Sequence, residues 1–228
     1  MKILITGASG FIGGFLVEEV LHRGYEVWAG VRTHSSRSHL QDPRIHFIDL
    51  AYGDLDRLQE QVRQFCREEG AWDYVVHNAG LTKTTDKRLF EEVNANYTHR
   101  LLEALAQPDC RPRKFVLMSS LSSFGLGDEQ TFEPIRLTDP QTPVTAYGQS
   151  KLQAEQYVRA QHSFPYVILR PTGVYGPGER DYFLQIQSIA HGVDLNVGRV
   201  PQRITFIYVK ALARVRNSIS PWSSWLWA

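Results

Sequence analysis

Five residues into the chain an apolar run gives way to Thr6-Gly7-Ala8-Ser9-Gly10-Phe11-Ile12-Gly13, and no other segment limits the fold as much. Lys2 to Ile5 read as a strand. Ile12, Leu16 and Val20 then recur at helical spacing, with Gly24 placed to end the helix. Gly7 and Gly10 let the backbone turn tightly and approach a pyrophosphate, while Gly13 lets the helix pack close to the strand. The phosphates would sit where free backbone N–H groups and the positive helix end both point. An ordinary glycine turn is the plainer alternative, but a readable strand before and a readable helix after favour a dinucleotide site.

The remaining pattern alternates strand and helix. Candidate strands are Lys2–Ile5, Glu26–Val31, Ile45–Ile48, Tyr74–His77, Lys114–Met118 and Tyr166–Leu169, with helices around Ile12–Arg23, Leu55–Glu68, Phe90–Gln107 and Ala146–Gln161. Such alternation implies an α/β fold of the Rossmann type, a doubly wound parallel sheet with helices on both faces. Ligands on such sheets bind at the carboxyl ends of the strands.

The 228 residues can bury one full domain core and part of a second. With 25 Lys+Arg against 24 Asp+Glu the charge is balanced, which argues against nucleic acid or a membrane as partner. No apolar run reaches the roughly 20 residues that span a bilayer, and a core strand at the very start predicts no signal peptide. Cys66 and Cys110 lack metal-ligand spacing and read as reduced thiols of a cytoplasmic protein; no metal site is expected.

Tyr147-Gly148-Gln149-Ser150-Lys151 places a phenol and an ammonium at i and i+4 on one helix face. Tyrosine ordinarily titrates at about 10. A lysine cation, helped by a positively charged oxidised nicotinamide, favours the phenolate and pulls that value toward neutrality, so Tyr147 could act as a general base, or as an acid in reverse. Upstream, Val116-Leu117-Met118-Ser119-Ser120-Leu121-Ser122 is a strand ending in hydroxyls, one of which could bind the same substrate oxygen. A cap or turn role would suit Ser122 or Ser123. Spacing alone does not choose among these serines.

Together these segments resemble the extended short-chain dehydrogenases/reductases, the NAD(P)-dependent epimerase/dehydratase family. The glycine motif is similar to that family's Thr-Gly-x-x-Gly-x-x-Gly, which implies contact with the cofactor through Gly7, Gly10, Phe11, Ile12 and Gly13. Asp49-Leu50 resembles its adenine-contacting segment, and His77-Asn78-Ala79-Gly80 the segment after its fourth strand. Val93-Asn94, followed by Thr98 and Leu101-Leu102-Glu103-Ala104, resembles its structural-Asn helix. Arg170-Pro171-Thr172-Gly173-Val174-Tyr175-Gly176-Pro177 is similar to the run that meets the nicotinamide, implying Pro171, Gly173 and Val174. In the family the catalytic hydroxyl lies five residues before the glycine of a Val-Tyr-Gly-like triplet. Ser123-Phe124-Gly125 fills that place, so the resemblance points to Ser120, with Ser119 and Ser122 as fallbacks, beside Tyr147 and Lys151. It also implies a dimer through helices comparable to Phe90–Gln107 and Ala146–Gln161.

The chain departs from the pattern in two places. Where NAD-specific members carry an acid after the second strand, this chain has Val31-Arg32, then Ser35, Ser36 and Arg37, which suit a 2′-phosphate and predict NADP, with NAD as the alternative. The second is the carboxyl end. Family members continue into a smaller substrate-covering domain. Here residues 1–170 read as the dinucleotide domain and 171–213 as part of a substrate region, in which Val209-Lys210-Ala211-Leu212-Ala213 has alanine where the family's Val-x-Asp-Leu-Ala has an acid. From 214 to 228 the resemblance stops, and Trp222, Trp225 and Trp227 crowd a basic tail. The expectation is a frameshifted or truncated end, with a genuine short variant as the alternative.

Three functions compete. The resemblance implies a nucleotide-sugar epimerase or dehydratase, though Leu121-Ser122 replaces the Asp-Glu pair usual in dehydratases. The second is an NADPH-dependent carbonyl reductase and the third a dinucleotide-binding module without turnover. Arg180 and Asp181 read as loop-capping residues, with substrate contact as the alternative.

Overall fold

The computed structural model describes residues 1–193 and 203–214. Its core is one six-stranded sheet, β1 (Lys2–Thr6), β2 (Glu26–Gly30), β3 (Ile45–Ile48), β4 (Tyr74–His77), β5 (Lys114–Met118) and β6 (Tyr166–Leu169). The strands lie in the order β3-β2-β1-β4-β5-β6, all parallel. That is the doubly wound order, in which the winding reverses between β1 and β4 and opens a crevice at their carboxyl ends. Thr6 and His77 are paired across this point.

Strand periodicity divides the core in two. Ile3, Ile5, Tyr74, Val76, Val116 and Met118 face one layer, with Leu16, Val17 and Val20 of α1 (Phe11–His22). Their neighbours Leu4, Val75, Phe115 and Leu117 face the other, with Leu58, Val62 and Phe65 of α2 (Leu55–Glu69), Leu101 and Leu105 further on, and Val158 of α5 (Ala146–Ala160). The strands and helices expected from the sequence are found within about one residue of their ends, apart from one helix. The span expected as one helix, Phe90–Gln107, is instead a single turn, α3 (Arg88–Phe90), a π-helical stretch (Glu91–Asn96) and α4 (Tyr97–Leu105). A π turn carries one residue more than an α turn and rotates the helix beyond it; here it falls on Asn94.

Beyond β6 the packing thins. β7 (Gly173–Tyr175) and β8 (Phe206–Tyr208) form a separate parallel pair, and α6 (Asp181–Ala190) buries none of its residues. α7 (Val209–Ala213) docks back on α1, with Leu212 joining the core and Lys210 lying over the Phe15 ring. The Trp-rich tail lies outside the described residues. Among those described, no helix is long and apolar enough to cross a membrane.

Candidate active site

The crevice begins at the glycine turn. Gly7 has φ +64°, and a Cβ there would lie 2.7 Å from Ala79 Cα; a Cβ at Gly13 would lie 2.2 Å from the Gly7 carbonyl oxygen. Neither position accepts a side chain while β1, β4 and α1 stay this close. Gly10 donates to Gly7 O at 3.0 Å and opens α1 with no side-chain cap, so the first N–H groups of the helix face the turn. Beside it, Thr6 Oγ1 accepts from the backbone N–H of Asn78 (3.1 Å) and Ala79 (3.0 Å).

Hydrogen bonding settles the state of His77. Thr98 gives its hydroxyl proton to Asn94 O at 2.7 Å, so it accepts from His77 Nε2 at 3.0 Å. His77 Nδ1 is then left to accept from the Thr6 hydroxyl at 2.8 Å. The imidazole is neutral: burial, and next the Lys151 cation, hold its pKa down at about 3.

Asn94 closes the next link. Its Oδ1 accepts from Leu81 N at 2.7 Å, and its Nδ2 donates to Leu81 O and to Ser150 Oγ, both at 3.0 Å. The loop after β4 is thereby fastened to α5. Gly80 leaves room for this junction, since a Cβ there would stand 3.1 Å from both Asn94 Oδ1 and Lys151 Nζ. Thr145 starts α5 by accepting from Gly148 N at 3.0 Å. Tyr147 and Lys151 lie in turn on one face of that helix. The Lys151 ammonium is almost fully buried and donates to Met118 O at 3.0 Å; burial lowers its pKa to about 8, opposed by the charge of Glu155.

The serines separate by what they bind. Ser119 is buried and donates to Glu155 Oε1 at 2.5 Å. Ser123 is buried and accepts from Gln141 Nε2 at 3.1 Å. Ser120 is the cap of the short 3-10 turn Leu121–Ser123, accepting from Ser122 N at 3.2 Å. Ser122 and Ser123 lie within that turn, and its cap is Ser120, the hydroxyl that also stands at Tyr147. Burial raises the Tyr147 phenol above its ordinary value, the Ser120 hydroxyl pulling the other way, and the Lys151 ammonium lies 5.9 Å from the Tyr147 ring centre.

The β2 end carries Val31, buried, and Arg32, exposed. Asp49 Oδ2 accepts from Thr33 N at 2.7 Å and from the Thr33 hydroxyl, so this carboxylate braces the loop after β2, and Leu50 is core. Arg37 lies over the Phe47 ring at 4.3 Å. On the far side, Pro171 O accepts from Leu121 N at 3.0 Å. A Cβ on Gly173 would lie 2.6 Å from Tyr182 Oη, and Val174 pairs with Ile207. Arg180 and Asp181 do not cap the loop. Glu179 does so, accepting from the N–H of Asp181 (2.7 Å) and Tyr182 (2.8 Å), while Asp181 pairs with exposed Lys83 at 2.6 Å.

The structure thus brings Gly7 against Gly13, Asn78 and Ala79, Gly80 against Lys151, and Ser120 against Tyr147, with Phe11 and Ile12 in the first turn of α1. The glycine turn, tight against β4 and with an uncapped helix start, fits the phosphates of a dinucleotide. Sequence reasoning missed Glu155, although it lies four residues beyond Lys151 and so shares its face. Among the described residues no cluster of three or more His, Cys, Asp or Glu could hold a metal ion.

Comparisons with known proteins place the family and the fold. Residues 3–216 match the model of the NAD dependent epimerase/dehydratase family. A putative dihydroflavonol 4-reductase of Synechocystis is 33% identical over 76% of this chain and 49% of its own length. A UDP-glucose 4-epimerase of Vibrio cholerae is 29% identical over 88% of this chain and 60% of its own. Among solved structures, a UDP-glucuronic acid 4-epimerase from Bacillus cereus in complex with UDP-glucuronic acid and NAD superposes with a TM-score of 0.74 at 26% identity, covering 94% of this chain and 71% of that one. The chain thus spans about half the length of the curated relatives it matches.

Proposed function

The chain belongs to the NAD dependent epimerase/dehydratase family, and we propose that it is a nucleotide-sugar epimerase/dehydratase-like oxidoreductase working through Ser120, Tyr147 and Lys151. The observation that supports this most is the meeting of Tyr147, Lys151 and Ser120 at the crevice beside the glycine turn. Tyr147 takes the proton of the substrate hydroxyl whose carbon is oxidised, and returns it when the carbonyl is reduced. Ser120 holds the same oxygen. Lys151, an ammonium below about pH 8, favours the phenolate once the phenol begins to ionise. A nicotinamide dinucleotide, when bound, would accept the hydride that this carbon loses and give it back on reduction. Gly7, Gly10, Phe11, Ile12 and Gly13 would hold its phosphates, Asp49 and Leu50 its adenine end, and Asn78, Ala79, Gly80, Pro171, Gly173 and Val174 its nicotinamide half.

Two finer points belong to this reading. Arg32, with Ser35 and Ser36, favours NADP; NADH bound as tightly as NADPH would overturn that preference. The enzyme acts in the cytoplasm, in keeping with two cysteines that are both free thiols, and dimerises through the outer faces of α4 and α5.

A second reading, an NADPH-dependent carbonyl reductase, is favoured by the Val31-Arg32 strand end and by the likeness to a putative dihydroflavonol 4-reductase. One assay separates the two. Epimerisation returns the hydride and leaves the 340 nm absorbance unchanged while a UDP-sugar is converted, whereas reduction consumes NADPH. Dinucleotide binding with neither outcome would leave a binding module and overturn both.

A further inference from the structure

We propose that Glu155 is a positioning residue of this site, the buried carboxylate through which α5 grips the end of β5 and against which the Lys151 ammonium is set. Among the described residues Glu155 is the one acid of the core, fully buried. Its carboxylate accepts from Ser119 Oγ (2.5 Å), Gln141 Nε2 (2.9 Å), Arg159 Nη2 (2.8 Å) and, with both oxygens, Arg170 Nε (2.9 Å) and Nη2 (2.8 Å). An acid buried this completely persists as a charge only where donors surround it. Burial alone would raise its pKa, but the Arg170, Ser119 and Gln141 hydrogen bonds win and hold it below its ordinary value.

The geometry ties this charge to the reacting groups. Lys151 and Glu155, one helical turn apart, seize the last residue of β5 and the one after it: the ammonium binds Met118 O and the carboxylate binds Ser119 Oγ. The next residue is Ser120. Arg170, held by Glu155 and lying over the Phe124 ring at 5.0 Å, in turn fixes the segment whose Pro171 O accepts from Leu121 N. Ser120 is therefore bracketed on both sides by bonds that lead to one carboxylate.

Other groups near the ammonium do not share this role. On α5 its remaining neighbour is the phenol of Tyr147. β4 contributes His77, neutral, and the π-helical stretch the Asn94 amide, its Glu92 being paired with Arg100 at 2.6 Å. His99 of α4 lies tilted against the Tyr157 ring, and Phe90 of α3 meets Tyr147 edge-on. Glu155 is thus the single negative charge facing Lys151 among the described residues.

The inference rests on the proposed role of Lys151 for its meaning, but its test needs no turnover. Carbon-13 labelling of the lysine Cε atoms in the full chain gives the Lys151 titration directly, and Lys151→Arg identifies its signal among the six lysines. Glu155→Gln should lower the titration midpoint by about one unit. Arg159→Gln, a change at a half-exposed side chain, strips a compensating cation from the carboxylate and should raise the midpoint by a few tenths. A purely structural Glu155 would lower the melting temperature and leave Lys151 where it was. An unmoved midpoint in Arg159→Gln overturns the proposal even where Glu155→Gln fails to fold, as does an unmoved or raised one in Glu155→Gln. Absence of turnover with normal shifts would count against the enzyme reading alone.

Discussion

Two stretches of this chain are built to different standards. From β1 to β6, neighbouring strands and helices bury one another, and charged groups that enter the core come with partners. Among the described residues from 171 onward many apolar side chains are uncovered: Phe183, Leu184 and Ile186 of α6 are each about 60% exposed or more, and Phe206 and Tyr208 of β8 also face outward. Val174 and Ile207 reach the edge of the core, and α7, on α1, supplies the buried Val209 and Leu212. An amphipathic helix folds by what covers it, because short helices are marginal on their own. The first stretch supplies its own cover and α6 does not.

That contrast can be broken experimentally. Leu101→Ala, in the fully buried layer between the sheet and α4, should destabilise the chain by about 3 kcal/mol in urea unfolding. Gly7→Ala should come next at about 2 kcal/mol, since it forces a side chain into positive φ and against Ala79. His77 sharpens the contrast through pH. Its folded pKa of about 3 lies below the ordinary 6.5, so between these values the unfolded chain takes up a proton that the folded chain refuses. Its contribution is complete above pH 6.5 and declines by about 1.4 kcal/mol per unit as pH falls toward 3. Urea midpoints from pH 6.5 to 5, a window above ordinary carboxylate titration, should show that slope, and His77→Gln should flatten it. At the other extreme, Phe183→Ser on α6 should change stability by less than about 0.5 kcal/mol. A loss comparable to that of Leu101→Ala would mean that α6 is packed after all, and would remove the distinction.

Legibility from sequence tracks the same divide. β1 to β6, α1, α2 and α5 are readable because each carries its full period, alternating in the strands and three-to-four in the helices. The π stretch is not, because an inserted residue leaves hydrophobic spacing nearly intact while turning Asn94 toward Leu81 and Ser150. β7 and β8 are three residues each and pair across about thirty positions, too short for alternation to register. In the candidate site, the placing of Tyr147 and Lys151 on one helix and of Ser120 just after β5 is legible from spacing. What escapes is the bond pattern beneath them: Ser120 capping its own turn, Glu179 rather than Arg180 or Asp181 closing the loop before α6, and Glu155 holding Ser119. Each depends on which partner reaches a side chain, and spacing along the chain does not carry that information.

The most direct test of the whole account is a calorimetric titration of the full chain with NADPH and with NADH. Saturable binding of one dinucleotide per chain, tighter for NADPH and with its preference lost in Arg32→Ala, is the result expected from a phosphate-binding glycine turn with Arg32 at the β2 end. Failure of both dinucleotides to bind a folded chain would contradict it.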